Sequence, residues 1–252
     1  MIAVMLAALW YAPSWLLLLL VEAILIGACI EFAGLATHSG LPLPRAAATM
    51  AAALVCLAVA WTGLPAGPIL IATFLAAACY VLATFPPAPH VPAIAAATLF
   101  PALYFGVPLG LTVAVRDTWG REALLLGLTV VWVSDTAQFY IGTRFGRHRL
   151  APTISPKKSV EGAIGGFIAG IGIMVGLGRL WLPAVGIPVL AAVGATLVGL
   201  GIAGDLFESL LKRSAGVKDS SGLIPGHGGI LDRIDAFLFV VPGFYLVLKL
   251  IA

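Results

Sequence analysis

The sequence predicts an all-α, polytopic membrane helix bundle with about eight or nine transmembrane helices. Three observations predict it. The chain of 252 residues is 61% apolar and only 10% charged. A soluble domain averages about 25% charged residues, and so sparse a supply does not cover a water-facing surface. The mean hydropathy is +1.10. The apolar residues also fall into runs of about the 20 residues a spanning helix needs.

Those runs are 14–35, 46–64, 68–85, 92–115, 123–143, 162–182, 186–208 and 236–251. Residues 2–12 are a ninth, shortened candidate. The first cation is Arg45, so the start lacks the basic region of a signal peptide and reads as a short first membrane segment. Pro13, Pro42, Pro44, Pro65, Pro68, Pro86, Pro87 and Pro89 punctuate the early links. No soluble domain or low-complexity tail stands out. The expected organisation is one integral membrane domain: N-terminal spans over 1–120, then a C-terminal catalytic region over 121–252 with cytoplasmic loops 144–160 and 209–235.

Orientation follows from cation placement. Arg144, Arg147, Arg149, Lys157 and Lys158 share one loop, and Lys212, Arg213, Lys218 and Arg233 share another. An even number of spans separates these loops from each other and from Arg45, so all three fall on the cytoplasmic side. Arg116 and Arg121 fall outside, accompanied by Asp117 and Glu122, and Lys249 is mildly discordant. Trp61, Trp119 and Trp181 lie near span ends, where an interfacial belt places them. Gly162, Gly166 and Gly170 repeat every four residues and form a small face for close helix contact. Cys29, Cys56 and Cys79 lie in separate apolar runs, which argues against disulfides and for small core residues. The net charge of +3 gives no reason to expect a nucleic-acid partner.

Acids at membrane depth cost about 2.5–3.5 kcal/mol on insertion scales, so each is a functional candidate. Asp135 lies in TVVWVSDTAQFYIGTRFG, and Asp205 and Glu208 lie in GIAGDLFESLLKR. Helical spacing puts Asp205, Glu208 and Lys212 on one face, and Asp232 and Asp235 on another. Glu22 and Glu31 are isolated early acids, and Glu31 is expected to play a structural or interfacial role. Converging carboxylates beside Lys212, Arg213, Lys218, His227 and Arg233 point to Mg²⁺ and a polyphosphate: acids hold the metal, and cations neutralise phosphate oxygens. Gly222, Gly226, Gly228 and Gly229 let backbone N–H groups approach an anion. Ordinary interfacial ion pairs, Glu208–Lys212 and Asp232–Arg233, are the alternative.

The run Ser209, Lys212-Arg213, Lys218-Asp219, His227-Gly228-Gly229, Asp232-Arg233 and Asp235 resembles the signature of the phosphatidate cytidylyltransferases, the CDP-diacylglycerol synthases. Upstream, Asp135, Tyr140, Gly142, Phe145-Gly146 and Ser155-Pro156-Lys157-Lys158-Ser159 with Glu161-Gly162 are similar to that family's other cytoplasmic elements. The resemblance covers roughly residues 125–245. Gln138 stands where the family commonly has a tyrosine.

The resemblance implies transfer of CMP from CTP to phosphatidic acid in phospholipid biosynthesis, Mg²⁺ dependence with room for a second metal or K⁺, a homodimer, and a cell inner membrane location with the active site facing the cytoplasm. It implies Asp205, Asp232 and Asp235 as metal ligands. Lys212, Arg213 and Lys218 would hold phosphates, with Ser209, Gly228, Gly229 and Arg233 as further substrate contacts. Asp219 is either a ligand or the group that orients Lys218. His227 either donates to the leaving group or shapes its loop. Lys157 and Lys158 either contact substrate or only set topology. Related readings are a CTP-dependent polyprenol kinase, an archaeal-lipid cytidylyltransferase, or a secondary transporter; a transporter would show a paired broken-helix repeat, and none is evident.

Overall fold

The structure, a computed structural model, describes residues 9–61, 63–221 and 228–251. Among the described residues the regular elements are helices apart from one small hairpin. The elements in order are α1 (Ser14–His38), α2 (Arg45–Ala60), α3 (Ala66–Thr84), α4 (Val91–Pro101), a π-turn (Ala102–Gly106) and α5 (Val107–Phe145). There follow β1 (Arg149–Ala151), β2 (Ser155–Ser159), α6 (Val160–Trp181), α7 (Ile187–Ser214) and α8 (Leu231–Ile251). Six helical stretches among the described residues are long and apolar enough to cross a membrane: α1, α3, the continuous stretch Val91–Phe145, α6, α7 and α8.

The expected spans hold with three differences. The run 46–64 forms only the 16-residue α2, because the helix stops at Ala60 ahead of Gly63 and Pro65. The runs 92–115 and 123–143 are one helical stretch, broken at Gly120, whose φ of +91° interrupts the helix near the expected link. The loop 144–160 contains a two-stranded antiparallel hairpin, in which Pro152 helps set the turn between β1 and β2. Most of the segment 2–12 lies outside the described residues.

The described residues form two compact units. The first takes the chain up to Asp117 together with Leu211–Arg233. Its core gathers Ala51, Val55 and Ala102, with Val59, Leu70 and Val107 packed around them. Gly106 and Gly110, four residues apart, face α2 so closely that a Cβ on either would lie 2.6 Å from the Ala52 or Cys56 carbonyl oxygen. The π-turn follows Pro101, which lacks the N–H a regular helix needs. Phe32 stacks on Phe100 at 5.2 Å and meets Phe105 edge-on at 5.9 Å, tying α1 to this turn. Cys29 and Cys56 are buried, as expected of small core residues, whereas Cys79 is exposed on α3.

The second unit takes Thr118–Leu210 and the chain from Ile234 onward. Small residues let its helices approach closely. Gly162 and Gly166 pack on α5, where added Cβ atoms would lie 2.8 Å from the Gln138 carbonyl oxygen and 2.5 Å from the Gln138 side chain. Gly170 meets Val198 of α7 as well as Ser134 and Val130 of α5. Gly204 of α7 lies against the backbone of Asp235 and Ala236 in α8. Trp132–Phe237 and Phe207–Phe239 ring contacts complete the packing.

Candidate active site

Each unit carries its own carboxylate–lysine cluster. In the second unit, the hairpin delivers the lysine. Glu161 accepts from the Arg147 N–H at 3.0 Å, from the His148 N–H, and from His148 Nδ1 at 2.6 Å, so the chain leaving α5 is fastened to the first turn of α6. Ser159 caps α6 by accepting from the Gly162 N–H at 3.1 Å. Gly142 and Gly146 leave room for that hydroxyl, which a Cβ on Gly146 would approach to 2.7 Å. With both ends of the hairpin fixed, Lys157 points outward and is exposed, while Lys158 is half-buried. The Lys158 ammonium lies 2.6 Å from Asp205 Oδ2.

Ser209, one turn along α7, points its hydroxyl at Asp205 Oδ1 at 3.5 Å. The Gly204 contact brings Asp235 within electrostatic reach of Asp205, and Asp135 lies within reach of both, with Lys158 beside the group. Gln138 donates to Asp135 Oδ1 at 3.1 Å and to Ser134 Oγ at 3.1 Å. An amide therefore orients Asp135 at the position where an aromatic was the expectation.

The first unit's cluster is built at the end of α7. Gly216, with φ +72°, reverses the chain, while the Val217 N–H returns to the Lys212 carbonyl. This turn brings Ser220 and Ser221 back toward the start of α8. Asp232, in the first turn of α8, is gripped on both oxygens. Its Oδ1 lies 2.5 Å from Lys212 Nζ. Its Oδ2 accepts from the Gly229 N–H at 2.7 Å, the Ser220 hydroxyl at 3.0 Å and the Ser220 N–H at 3.3 Å. Gly228 has φ +77°, and a Cβ there would lie 2.7 Å from Asp232 Oδ2, so glycine alone fits.

The same strands of chain are held by a residue that the sequence reading set aside. Glu31 of α1 is only 3% exposed and accepts from Ser220, Ser221, Ile230 and Leu231. Glu31 is thus not the isolated acid it was expected to be; of the structural or interfacial role expected, it takes a structural one, within the Asp232 cluster. The signal was available, since an acid at membrane depth calls for partners. Ser220 and Ser221 carried no such signal.

The remaining expected residues take varied places. Arg213 donates to the Val217 carbonyl at 3.2 Å and so helps close the turn. Lys218, Asp219 and Arg233 are exposed. His227, with Gly222 and Gly226, lies outside the described residues. Among the described residues, no three His, Cys, Asp or Glu side chains form a ready-made metal cage. Asp205, Asp135 and Asp235 are nevertheless oxygen donors of the kind Mg²⁺ takes, since it usually binds one or two carboxylates and completes its shell with water and substrate phosphate.

A model of the cytidylyltransferase family matches residues 1–251. The chain belongs to the cytidylyltransferase family. It is 44% identical over 142 residues to the phosphatidate cytidylyltransferase of Thermotoga maritima, a match covering 54% of this chain and 52% of that protein. It is 40% identical over 150 residues to the phosphatidate cytidylyltransferase of Staphylococcus aureus strain COL, covering 59% and 56%. For the Bacillus subtilis protein of the same name the figures are 37% over 155 residues, 59% and 56%. The chain thus spans about half the length of the curated relatives it matches.

Proposed function

We propose that this membrane-embedded family member transfers the cytidylyl group of CTP to phosphatidic acid, yielding CDP-diacylglycerol and pyrophosphate. The observation that supports the reading is an acid–lysine contact within each unit, Lys158 on Asp205 in one and Lys212 on Asp232 in the other, in a chain with helices of membrane-crossing length. The names of the three relatives supply the substrate class.

A phosphate oxygen of phosphatidic acid attacks the α-phosphorus of CTP, and the bond from that phosphorus to the β-phosphate bridging oxygen breaks. The lipid phosphate has a second pKa of about 6 and is mostly dianionic at neutral pH, so no strong general base is required. Repulsion between the two anions is the obstacle, and the protein contributes alignment and neutralising charge. Asp205 and Asp235, with Asp135 beside them, would hold Mg²⁺, which supplies positive charge to the phosphate oxygens as a Lewis acid. Asp232 is the further metal ligand that the resemblance implies. Lys158 and Lys212, each steadied by its carboxylate, would meet phosphate oxygens as substrate arrives. Lys218, exposed at the turn, would meet the departing pyrophosphate. A cytoplasmic opening of the site in the inner membrane serves both substrates, since CTP arrives from water and the lipid from the bilayer.

The test is purified protein in lipid nanodiscs with phosphatidic acid and CTP labelled at either the α- or the γ-phosphate. Label from the α-phosphate enters the lipid fraction and pyrophosphate is released. Entry of γ-label instead would make the chain a lipid kinase and refute the proposal.

A further inference from the structure

Four donors surround the Glu31 carboxylate. Its Oε2 accepts from the Ser220 hydroxyl at 2.8 Å and the Leu231 N–H at 2.9 Å. Its Oε1 accepts from the Ser221 hydroxyl at 2.6 Å and the Ile230 N–H at 2.8 Å. A carboxylate offers about four lone-pair sites, and three of these donors belong to Glu31 alone while the fourth, the Ser220 hydroxyl, is shared. The two backbone donors belong to the start of α8, where N–H groups have no partner within the helix. Glu31 is thus a helix cap delivered from a different helix, about 200 residues away in the chain.

The approach is close on both sides. Gly27, one turn before Glu31, leaves space that the Ile230 side chain occupies. Gly229 has no room for a Cβ, which would strike the Ser220 hydroxyl and both Glu31 oxygens. The Ser220 hydroxyl lies within hydrogen-bond distance of Glu31 Oε2 and of Asp232 Oδ2 but has one hydrogen, so it serves one carboxylate at a time. Glu31 and Asp232 therefore grip the same short pieces of chain, Ser220–Ser221 and Gly229–Leu231. Lys212 lies on the other oxygen of Asp232.

We infer that Glu31 is a positioning residue for nucleotide binding: by fixing the start of α8 against Ser220 and Ser221, it aims Asp232 at Lys212. The inference rests on the proposed role of the Lys212–Asp232 pair toward the nucleotide. A purely stabilising Glu31 would change how much protein folds and leave the affinity of each folded molecule for CTP as it was.

The decisive variant is Glu31→Gln, which keeps the shape but replaces one acceptor oxygen by an NH₂ group facing two donors. Three quantities are measured in nanodiscs: hydrogen exchange at the Ile230 and Leu231 amides without substrate, CTP affinity by equilibrium dialysis, and the KM for phosphatidic acid. The expected result is at least about tenfold faster exchange at both amides and about tenfold weaker CTP binding, with the lipid KM within about twofold. Unchanged exchange, or unchanged CTP affinity in the folded fraction, overturns the inference. If Glu31→Gln does not fold, Ser221→Ala removes one donor of the four and is expected to shift both quantities in the same direction by about threefold; no shift in either overturns it equally. Wild-type protein that binds CTP but moves no cytidylyl group to phosphatidic acid sinks the substrate assignment alone, and the exchange and dialysis results still decide the role of Glu31.

Discussion

Replacing Gly204 by alanine adds one methyl group at the contact that brings α7 and α8 together beside Asp205 and Asp235. The added Cβ would lie 2.6 Å from the Asp235 carbonyl oxygen and 3.1 Å from the Ala236 Cα. Both neighbours are backbone, so no side chain can swing aside. Ordinary contact needs about 0.8 Å more, and the two helices must part by roughly that distance. Overpacking of this kind costs about 1–3 kcal/mol, and a displacement near 1 Å at reacting groups costs about 100-fold in rate. Gly176→Ala is the matched control. It also replaces a helical glycine, but its Cβ meets nothing within 4 Å, so it gains helix propensity without a clash. Steady-state cytidylyl transfer and thermal unfolding of both variants are the assay. Gly204→Ala is expected to melt several degrees below Gly176→Ala and to lose about 10- to 100-fold in kcat. Equal melting and full kcat would refute the claim that the Gly204–Asp235 approach sets the spacing of the acids.

Three other outcomes follow from the same geometry. Asp205→Asn keeps the side-chain volume but removes the charge that Lys158 contacts, and kcat is expected to fall at least about 100-fold in a protein that still elutes as a single folded species; near-normal turnover would remove Asp205 from the reaction. Lys212→Ala withdraws one charged phosphate contact, so the KM for CTP should rise about tenfold while that for lipid stays level, as read by varying each substrate in turn. Chelation of divalent ions should abolish transfer, with recovery on Mg²⁺ addition and no change in the melting curve of the substrate-free protein; full activity in the chelator would exclude the proposed use of the acids.

Glu31 and Gly120 mark where sequence reasoning succeeds and where it stops. Spans are legible because membrane insertion is additive along a short window, and any run of about 20 apolar residues reports its own burial. The same logic marks Asp135, Asp205 and Asp235 as expensive residues in need of partners. The helical break between residues 115 and 123 was expected, but its narrow form, one glycine with positive φ, depends on backbone geometry that hydropathy does not carry. Likewise α2 ends early because Gly63 and Pro65 outweigh the apolar composition around them.

Family membership, most of the membrane-crossing runs and the inventory of acids and lysines were thus determined by the sequence alone. Tertiary structure decided the pairings: Lys158 with Asp205, Lys212 with Asp232, and Glu31 with the start of α8. The physical reason is that helical spacing tells which residues share a face, not which helix that face meets or at what register. Small residues such as Gly27, Gly166 and Gly204 set that register by admitting a neighbour's backbone or side chain, and their partners lie far away along the chain.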